Sequence, residues 1–217
     1  MKILVSILSV CYLFMLSCTF SSNSSENLKA RITYSAADSL QVAYFASGCF
    51  WCVEAIFESL VGVDEVISGY SGGKAEEANY RTVISGKTNH AETVAVYYNP
   101  SVISYEQLLE VFFASHDPTT QNQQGPDRGK HYRSAIFYQN KSEKYLAETY
   151  IEKLLTEKVF YRITTEVTPF EAFYIAEEYH QDYEARNPKD PYICRVSIPR
   201  LNAFKQKYPS LIKQNKN

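Results

Sequence analysis

The sequence has no marked excess of charge of either sign and no detectable internal repeat. It contains 22 Lys and Arg against 24 Asp and Glu, which gives a formal net charge of −2. Proteins that bind nucleic acids through the phosphate backbone need clustered, excess Lys and Arg, so the composition gives no support for that class. A chain of 217 residues with 45% hydrophobic and 21% charged residues is instead typical of one soluble globular domain.

Cysteine is also scarce, with five residues in the chain. Cys11 and Cys18 lie in an N-terminal leader, so the predicted domain holds only Cys49, Cys52 and Cys194. Three thiols are too few for the disulfide framework of a small secreted domain. A zinc site would need Cys194 and a His besides the CxxC pair, because the chain has no second CxxC or CxxH. This pattern favours a redox dithiol over a metal site.

The N-terminus is typical of an export signal. Lys2 precedes an apolar run over residues 3–16, which has the length of a signal-peptide core and is too short to span a bilayer. The tetrapeptide Met15-Leu16-Ser17-Cys18 resembles a bacterial lipoprotein processing box, which favours a lipid anchor on Cys18 over ordinary cleavage within residues 17–25. We therefore expect an exported protein of the bacterial cell envelope or periplasm.

This interpretation divides the chain into four parts. They are a signal peptide (1–17), a polar tether (18–41), a catalytic domain (42–205) and a polar tail (206–217).

Apolar periodicity within the domain predicts an α+β fold. Strands are expected at 42–46, 63–70, 93–98, 133–138 and 163–167, and helices at 53–61, after Ser104, after Asn140 and over 170–183. The order strand-helix-strand-strand-helix-strand is that of the split βαβ unit, so we predict an α/β sandwich with a ferredoxin-like core. Two long irregular stretches, 72–91 and 116–132, are expected to carry function.

The pentapeptide Gly48-Cys49-Phe50-Trp51-Cys52 lies between the first strand and the first helix. A thiol at a helix start faces free N–H groups and the positive end of the helix dipole, which favour the reactive thiolate. The residues alone leave two uses open. The dithiol either exchanges disulfides, or Cys49 attacks a substrate directly.

Several separate motifs stand in order between residues 42 and 201. They are Gly48-Cys49-Phe50-Trp51, Gly69-Tyr70-Ser71-Gly72-Gly73, His90-Ala91-Glu92, His116-Asp117-Pro118, Gln124-Gly125, Asp127-Arg128-Gly129, Tyr132-Arg133-Ser134 and Tyr179-His180-Gln181. Together they resemble the motifs of the A-type methionine sulfoxide reductases. The resemblance implies reduction of methionine S-sulfoxide, free or in proteins, to methionine. It implies a thioredoxin-like dithiol as reductant, with no bound cofactor or metal, and we expect a monomer.

The resemblance also implies the principal roles. Cys49 is expected to attack the sulfoxide sulfur, and Glu92 to protonate its oxygen. Phe50 and Trp51 are expected to hold the S-methyl group of the substrate. The chemistry requires such an acid, because a sulfoxide oxygen is a poor leaving group unless it is protonated. A carboxyl group in a partly apolar pocket has the raised pKa that this role needs.

Further roles follow from the same resemblance. Tyr80 and Tyr132 are expected to hold the sulfoxide oxygen, Asp127 to orient groups in the site, and His180 to line the pocket. Taken without the resemblance, such residues are more often packing or turn residues.

Reduction of the sulfoxide leaves Cys49 as a sulfenic acid, which condenses with a second thiol to a disulfide. Cys52 lies one helical turn further on and is the expected resolving thiol, with Cys194 as the alternative. Two other classes of function remain open at this point. They are a general thiol-disulfide oxidoreductase and a lipid-tethered module that binds methionine-containing peptides.

Overall fold

The structure is a computed structural model, and it describes residues 40–214. The predicted signal peptide, Cys11, the lipidation site at Cys18 and nearly all of the tether lie outside the described residues. Among the residues described, no helix combines the length and the apolar character needed to cross a membrane.

Eight strands and six helices make up this part of the chain. The strands are β1 (Gln41–Ser47), β2 (Val63–Ser71), β3 (Ala91–Tyr98), β4 (Gln123–Gln124), β5 (Asp127–Arg128), β6 (Ser134–Tyr138), β7 (Glu166–Pro169) and β8 (Phe173–Ile175). The helices are α1 (Phe50–Glu58), α2 (Tyr80–Val83), α3 (Tyr105–Ala114), α4 (Lys141–Thr156), α5 (Tyr183–Arg186) and α6 (Ile198–Lys207). A π-helical turn, Ile193–Ser197, leads directly into α6.

The six-stranded sheet has the order β7-β6-β1-β3-β2-β8, and β4 pairs with β5 in a separate small hairpin. In its four central strands, β6-β1-β3-β2, each strand is antiparallel to its neighbours, so β1 and β2 are parallel to each other with β3 between them. Because α1 connects β1 to β2 around the inserted β3, this is the split βαβ arrangement. The predicted α+β fold class with a ferredoxin-like core is therefore confirmed.

The core lies on the side of the sheet that α1 and α3 cover. Phe45 of β1 stacks against Phe57 of α1 and Phe112 of α3, with ring centroids 5.3 and 5.2 Å apart. All three side chains are fully buried. Each such side chain stabilises the fold by about 1.5–3 kcal/mol relative to leaving it exposed. This packing fixes α1, and with it the residue at its N-terminus.

The predicted helical stretch over residues 170–183 is wrong. Residues 173–175 form the edge strand β8, which pairs with β2, and only short 3₁₀ and α turns follow. Gly69 of β2 permits this pairing, since a Cβ there would lie 2.4 Å from the Phe173 ring and from the Tyr174 carbonyl oxygen. Tertiary pairing therefore outweighs the local apolar pattern.

Residues 206–217 were predicted to form a polar tail, but those up to 212 lie against the domain. The Val61 N–H donates to the Leu211 carbonyl at 2.8 Å, and Leu211 and Ile212 pack on the core. The segment before them, from the π-helical turn to α6, contacts α1 and thereby reaches the CxxC motif.

Candidate active site

Cys49 occupies the N-cap position of α1, immediately after the end of β1. The turn between them is made by Gly48 at φ +92°, and a Cβ there would lie 2.6 Å from the Cβ of Gln124. Glycine is therefore required for both its conformation and its size. Cys49 is 6% exposed and Cys52, in the first turn of α1, is 1% exposed. The nucleophile that the sequence predicts thus lies at a helix start, as expected.

Glu92 lies beside this helix start. It is near the beginning of β3, and its Oε2 accepts the backbone N–H of Phe50 at 3.0 Å. Burial raises the pKa of Glu92 to about 8, although the Phe50 hydrogen bond opposes the shift. Glu92 therefore carries its proton at neutral pH, which is the state that an acid catalyst needs.

The pKa values of the two thiols are shifted in opposite directions, which was not predicted from the sequence. Burial, a hydrogen bond with Cys52 and the Glu92 carboxylate raise the pKa of Cys49. The same Cys49 hydrogen bond and the positive charge of Arg200 lower the pKa of Cys52 to about 6, against the effect of burial. The thiolate expected at Cys49 from the helix dipole is therefore favoured on Cys52 instead, because burial and the neighbouring groups raise the pKa of Cys49.

Tyr80 and Tyr132 are both close to this pair. Burial, then the charges of Glu92 and Cys49, raise the pKa of Tyr80 to about 12 and that of Tyr132 further. Both phenols consequently remain protonated and able to donate. Tyr80 begins α2, and its backbone N–H donates to Glu177 at 2.9 Å.

Aromatic rings form a wall beside Cys49. The indole N–H of Trp51 donates to Nδ1 of His180 at 3.1 Å, and Trp51 stacks on Tyr183 with centroids 3.8 Å apart. His180 also lies 5.0 Å from the Phe50 ring and 4.4 Å from the Tyr80 ring. Burial lowers the pKa of His180 to about 4, so the imidazole is neutral and accepts the Trp51 hydrogen bond. This wall is apolar and suits a methyl group.

Asp127 lies on β5, and burial raises its pKa. The Tyr192 hydroxyl donates to its Oδ2 at 2.5 Å and lies 3.7 Å from the Cys52 sulfur. Through Tyr192, Asp127 is thus connected to the CxxC motif.

Comparison with known proteins gives a consistent answer. The sequence model described as peptide methionine sulfoxide reductase matches residues 41–212. A peptide methionine sulfoxide reductase MsrA from Natronomonas pharaonis is 49% identical over 168 residues, covering 76% of this chain and 94% of the relative. MsrA 2 from a Synechocystis species is 47% identical over 173 residues, covering 79% and 81%. The reduced form of Mxr1 from Saccharomyces cerevisiae superposes with a TM-score of 0.67 at 34% identity, covering 72% of this chain and 90% of Mxr1.

The chain belongs to the peptide methionine sulfoxide reductase family. It is accordingly an oxidoreductase of the A type, and the resemblance seen in the motifs is confirmed. Within this reductase the structure brings Cys49, Cys52, Glu92, Tyr80 and Tyr132 together, and it places the other predicted residues around them.

Cys194 is the exception. It lies in the π-helical turn, is exposed, and its thiol donates to the Pro188 carbonyl at 3.3 Å. The Cys52 thiol instead has hydrogen-bond partners in Cys49, Ser197 and Tyr192. Among the described residues, the three potential metal ligands that cluster are Glu54, Glu58 and Asp182, and this cluster contains no cysteine. The geometry therefore gives the zinc alternative no support.

Two residues of the reductase site were missed from the sequence. Tyr192 is 140 residues from Cys52 along the chain, and no local motif marks it. Arg200, on α6, donates to the carbonyl oxygens of Ser115 at 2.6 Å and Ser47 at 3.1 Å, which fixes it beneath the Cys49 turn. Only the tertiary packing of the C-terminal segment reveals either role.

Proposed function

We propose that Cys49 reduces methionine S-sulfoxide, in proteins and in free methionine, while Glu92 protonates the sulfoxide oxygen. The Cys49 sulfur attacks the sulfoxide sulfur, a sulfur–sulfur bond forms, and the sulfur–oxygen bond breaks as the protonated oxygen leaves as water. A water molecule then attacks the Cys49 sulfur, the sulfur–sulfur bond breaks, and methionine leaves with Cys49 as a sulfenic acid. The observation that carries this proposal is the buried Glu92, protonated at neutral pH and hydrogen-bonded to the residue next to Cys49.

Selectivity for the S epimer has a geometric basis in this proposal. The S-methyl group is held by the Phe50 and Trp51 rings, and the oxygen by the phenols of Tyr80 and Tyr132. Once the methyl group and the oxygen are placed, the third substituent of the sulfur, which is the rest of the methionine, has only one direction in which to point. The other epimer would exchange two of these groups, and would set either a methyl group against the acid or the oxygen against the rings.

Recycling is proposed to occur through Cys52. Its sulfur attacks the Cys49 sulfenic acid, a Cys49–Cys52 disulfide forms and water is released. A thioredoxin-like dithiol protein then reduces the disulfide, without a bound cofactor. The burial of Cys52 against Cys49 supports this order, whereas Cys194 is exposed and bonded to Pro188.

Incubation of the purified protein with each epimer of a methionine sulfoxide substrate and dithiothreitol tests the first step. We expect turnover of the S epimer alone, and its abolition in Cys49→Ser. Turnover of the R epimer alone would refute the proposal, and an intact function in Cys49→Ser would favour the binding-module hypothesis.

A pair of serine variants tests the resolving thiol. Cys52→Ser should release one methionine per enzyme and then fail to be recycled by a thioredoxin-like protein, whereas Cys194→Ser should continue to turn over. The opposite result would assign the resolving role to Cys194.

We also propose that the protein is exported to the cell envelope or periplasm, with a lipid on Cys18. The support is the apolar run over residues 3–16 and the processing-box tetrapeptide. Mass analysis of the mature N-terminus tests this proposal. A diacylglyceryl Cys18 is expected, and an unmodified N-terminus within 17–25 would show ordinary cleavage.

A further inference from the structure

Glu177 lies between β8 and the 3₁₀ turn Glu178–His180, and the mechanism proposed above gives it no role. Its two carboxylate oxygens face different parts of the candidate site. Oε1 accepts the backbone N–H of Tyr80 at 2.9 Å, and Oε2 accepts the Tyr70 hydroxyl at 2.9 Å. Oε2 also lies 4.0 Å from Nε2 of His180. One carboxylate group is therefore in contact with β2, with the start of α2 and with the 3₁₀ turn.

The chain geometry places Glu177 and His180 on the same side of this turn. The backbone N–H of His180 donates to the Glu177 carbonyl at 2.8 Å, which closes the turn. In a 3₁₀ turn the side chains of residues three apart eclipse each other. The approach of the carboxylate to the imidazole is thus set by local backbone structure.

The position of the proton on His180 follows from its hydrogen bond with Trp51. The imidazole is neutral at pH 7, because burial lowers its pKa to about 4. A neutral imidazole has one N–H, so one ring nitrogen donates and the other accepts. Nδ1 accepts the indole N–H of Trp51 at 3.1 Å. The proton of His180 is therefore on Nε2.

The Nε2–H group faces the negative charge of Glu177. This nitrogen is buried, and within residues 40–214 it has no hydrogen-bond partner. Burial raises the pKa of Glu177, but the hydrogen bonds from Tyr80 and Tyr70 outweigh this effect and lower it, so the group is a carboxylate. A negative charge at 4.0 Å attracts an N–H group and repels the lone pair that Nε2 would carry in the other tautomer. Glu177 therefore favours the tautomer in which Nδ1 is the acceptor.

We propose that Glu177 is a positioning residue, which holds the proton of His180 on Nε2 and thereby keeps the Trp51 ring oriented for the methyl group of the substrate. This inference rests on the proposed function, in which Trp51 contacts the S-methyl group. The stack on Tyr183, with centroids 3.8 Å apart, fixes the plane of the indole. The His180 hydrogen bond fixes the rotation of the indole within that plane. With the proton on Nδ1, two donors would face each other and this second constraint would be lost.

Nuclear magnetic resonance of the wild-type protein at pH 7 gives the first test. Long-range proton–nitrogen spectra identify the protonated ring nitrogen of His180, whose signals are assigned by their loss in His180→Gln. We expect a protonated Nε2, an unprotonated Nδ1 and slow solvent exchange of the Trp51 indole N–H, which is the only indole signal because the chain has one Trp. A proton on Nδ1 in the wild type would overturn the inference.

Glu177→Gln gives the second test, because the amide keeps an acceptor for the Tyr80 N–H and removes the charge. We expect the His180 proton to move to Nδ1, and the KM for the S epimer to rise about tenfold with kcat within about twofold of wild type. Formation of the Cys49–Cys52 disulfide with hydrogen peroxide should keep its wild-type rate, since peroxide has no methyl group to place. Glu171→Gln, at an exposed position after β7, is the matched control and should behave as wild type.

A double-mutant cycle separates orientation of Trp51 from a general loss of structure. Trp51→Phe removes the indole N–H, so adding Glu177→Gln to that variant should change KM by less than about twofold. A wild-type KM in Glu177→Gln, an equal effect of Glu177→Gln with and without the indole, or an equal loss in the peroxide reaction would each overturn the inference. Absence of S-epimer turnover in the wild type would refute the proposed function, whereas the protonated nitrogen of His180 is read without substrate.

Discussion

Two buried glutamates, Glu54 and Glu92, have nearly the same acid strength but lie in different surroundings. Each is 2% exposed, and burial raises the pKa of each to about 8. Glu54, on α1, accepts the Ser68 hydroxyl at 3.1 Å and the Asp182 backbone N–H at 3.0 Å. Glu92 accepts the Phe50 N–H beside Cys49.

A raised pKa is therefore not by itself a sign of catalysis. The two oxygens of Glu54 connect α1 to β2 and to the segment before α5, so this carboxyl group stabilises the packing. The neighbours of Glu92 are the Cys49 thiol and the two protonated phenols of Tyr80 and Tyr132. An acid of the same strength can therefore give its proton to a reacting group beside the nucleophile. Position relative to the nucleophile decides which acid is functional.

The largest expected difference is in activity. Glu92→Gln keeps an acceptor for the Phe50 N–H but has no proton to transfer, so kcat/KM should fall by about 100-fold to 10,000-fold. Glu54→Gln should stay within about threefold of wild type, because it removes no group from the site. Steady-state assays with the S epimer measure both, and equal losses would show that the two carboxyl groups act alike.

The pH dependence of kcat/KM should separate the two acids further. Glu92 must hold its proton, so kcat/KM should fall above about pH 8, by up to about tenfold per pH unit. Glu54→Gln should keep this decline, since its own titration does not enter the reaction. A decline that disappears in Glu54→Gln would reverse the assignment of the two acids.

Stability should respond to both carboxyl groups. Each has a folded-state pKa of about 8 and an ordinary value of 4.5, so the folded protein binds more protons than the unfolded chain between these pH values. The free energy of unfolding therefore decreases as pH rises through this window, by up to about 1.4 kcal/mol per pH unit for each group.

Urea unfolding between pH 5 and pH 8 measures this effect. Each Gln variant should gain stability relative to wild type as the pH rises, while the exposed control Glu76→Gln should follow the wild-type curve. A constant difference across the range would mean that the carboxyl group titrates normally.

The smallest expected effect concerns one hydrogen bond. Ser68→Ala removes the hydroxyl that Glu54 accepts, which should cost about 1 kcal/mol of stability and raise the pKa of Glu54 further. Activity should be unaffected, because the hydroxyl that is removed donates to the packing carboxyl group of Glu54, while the backbone hydrogen bonds of Ser68 are kept. Unfolding at pH 7 with a parallel activity assay measures both quantities, and a lost activity would connect Glu54 to the site.

Local signals predicted a large part of the fold. The capping box of Ser104 and Gln107 is present at α3, and β1, β2, β3 and β6 lie within one or two residues of their predicted positions. These elements are specified by alternation and by caps, which operate over a few residues. The stretch 170–183 was misassigned because its structure depends on β2, about 100 residues away.

In the candidate site, too, residues marked by local sequence signals were predicted and residues placed by long-range packing were not. Residues in contiguous motifs, such as Cys49 and Glu92, were found from the sequence. Tyr192 and Arg200 were not, because their function is defined by what α6 and the π-helical turn approach in space. The charge distribution between Cys49 and Cys52 was also missed, since it depends on burial and on Arg200, which no local pattern reveals.

Gly48 carries no chemistry, yet it sets the clearance between two loops. Its α-carbon faces the Gln124 side chain so closely that even one added carbon would fall at 2.6 Å from it. Gln124 pairs with Asp127 across the small hairpin, so a methyl group at position 48 would push the hairpin and its aspartate away from the turn that holds the nucleophile. The spacing between the two functional loops therefore depends on the absence of a Cβ atom at residue 48.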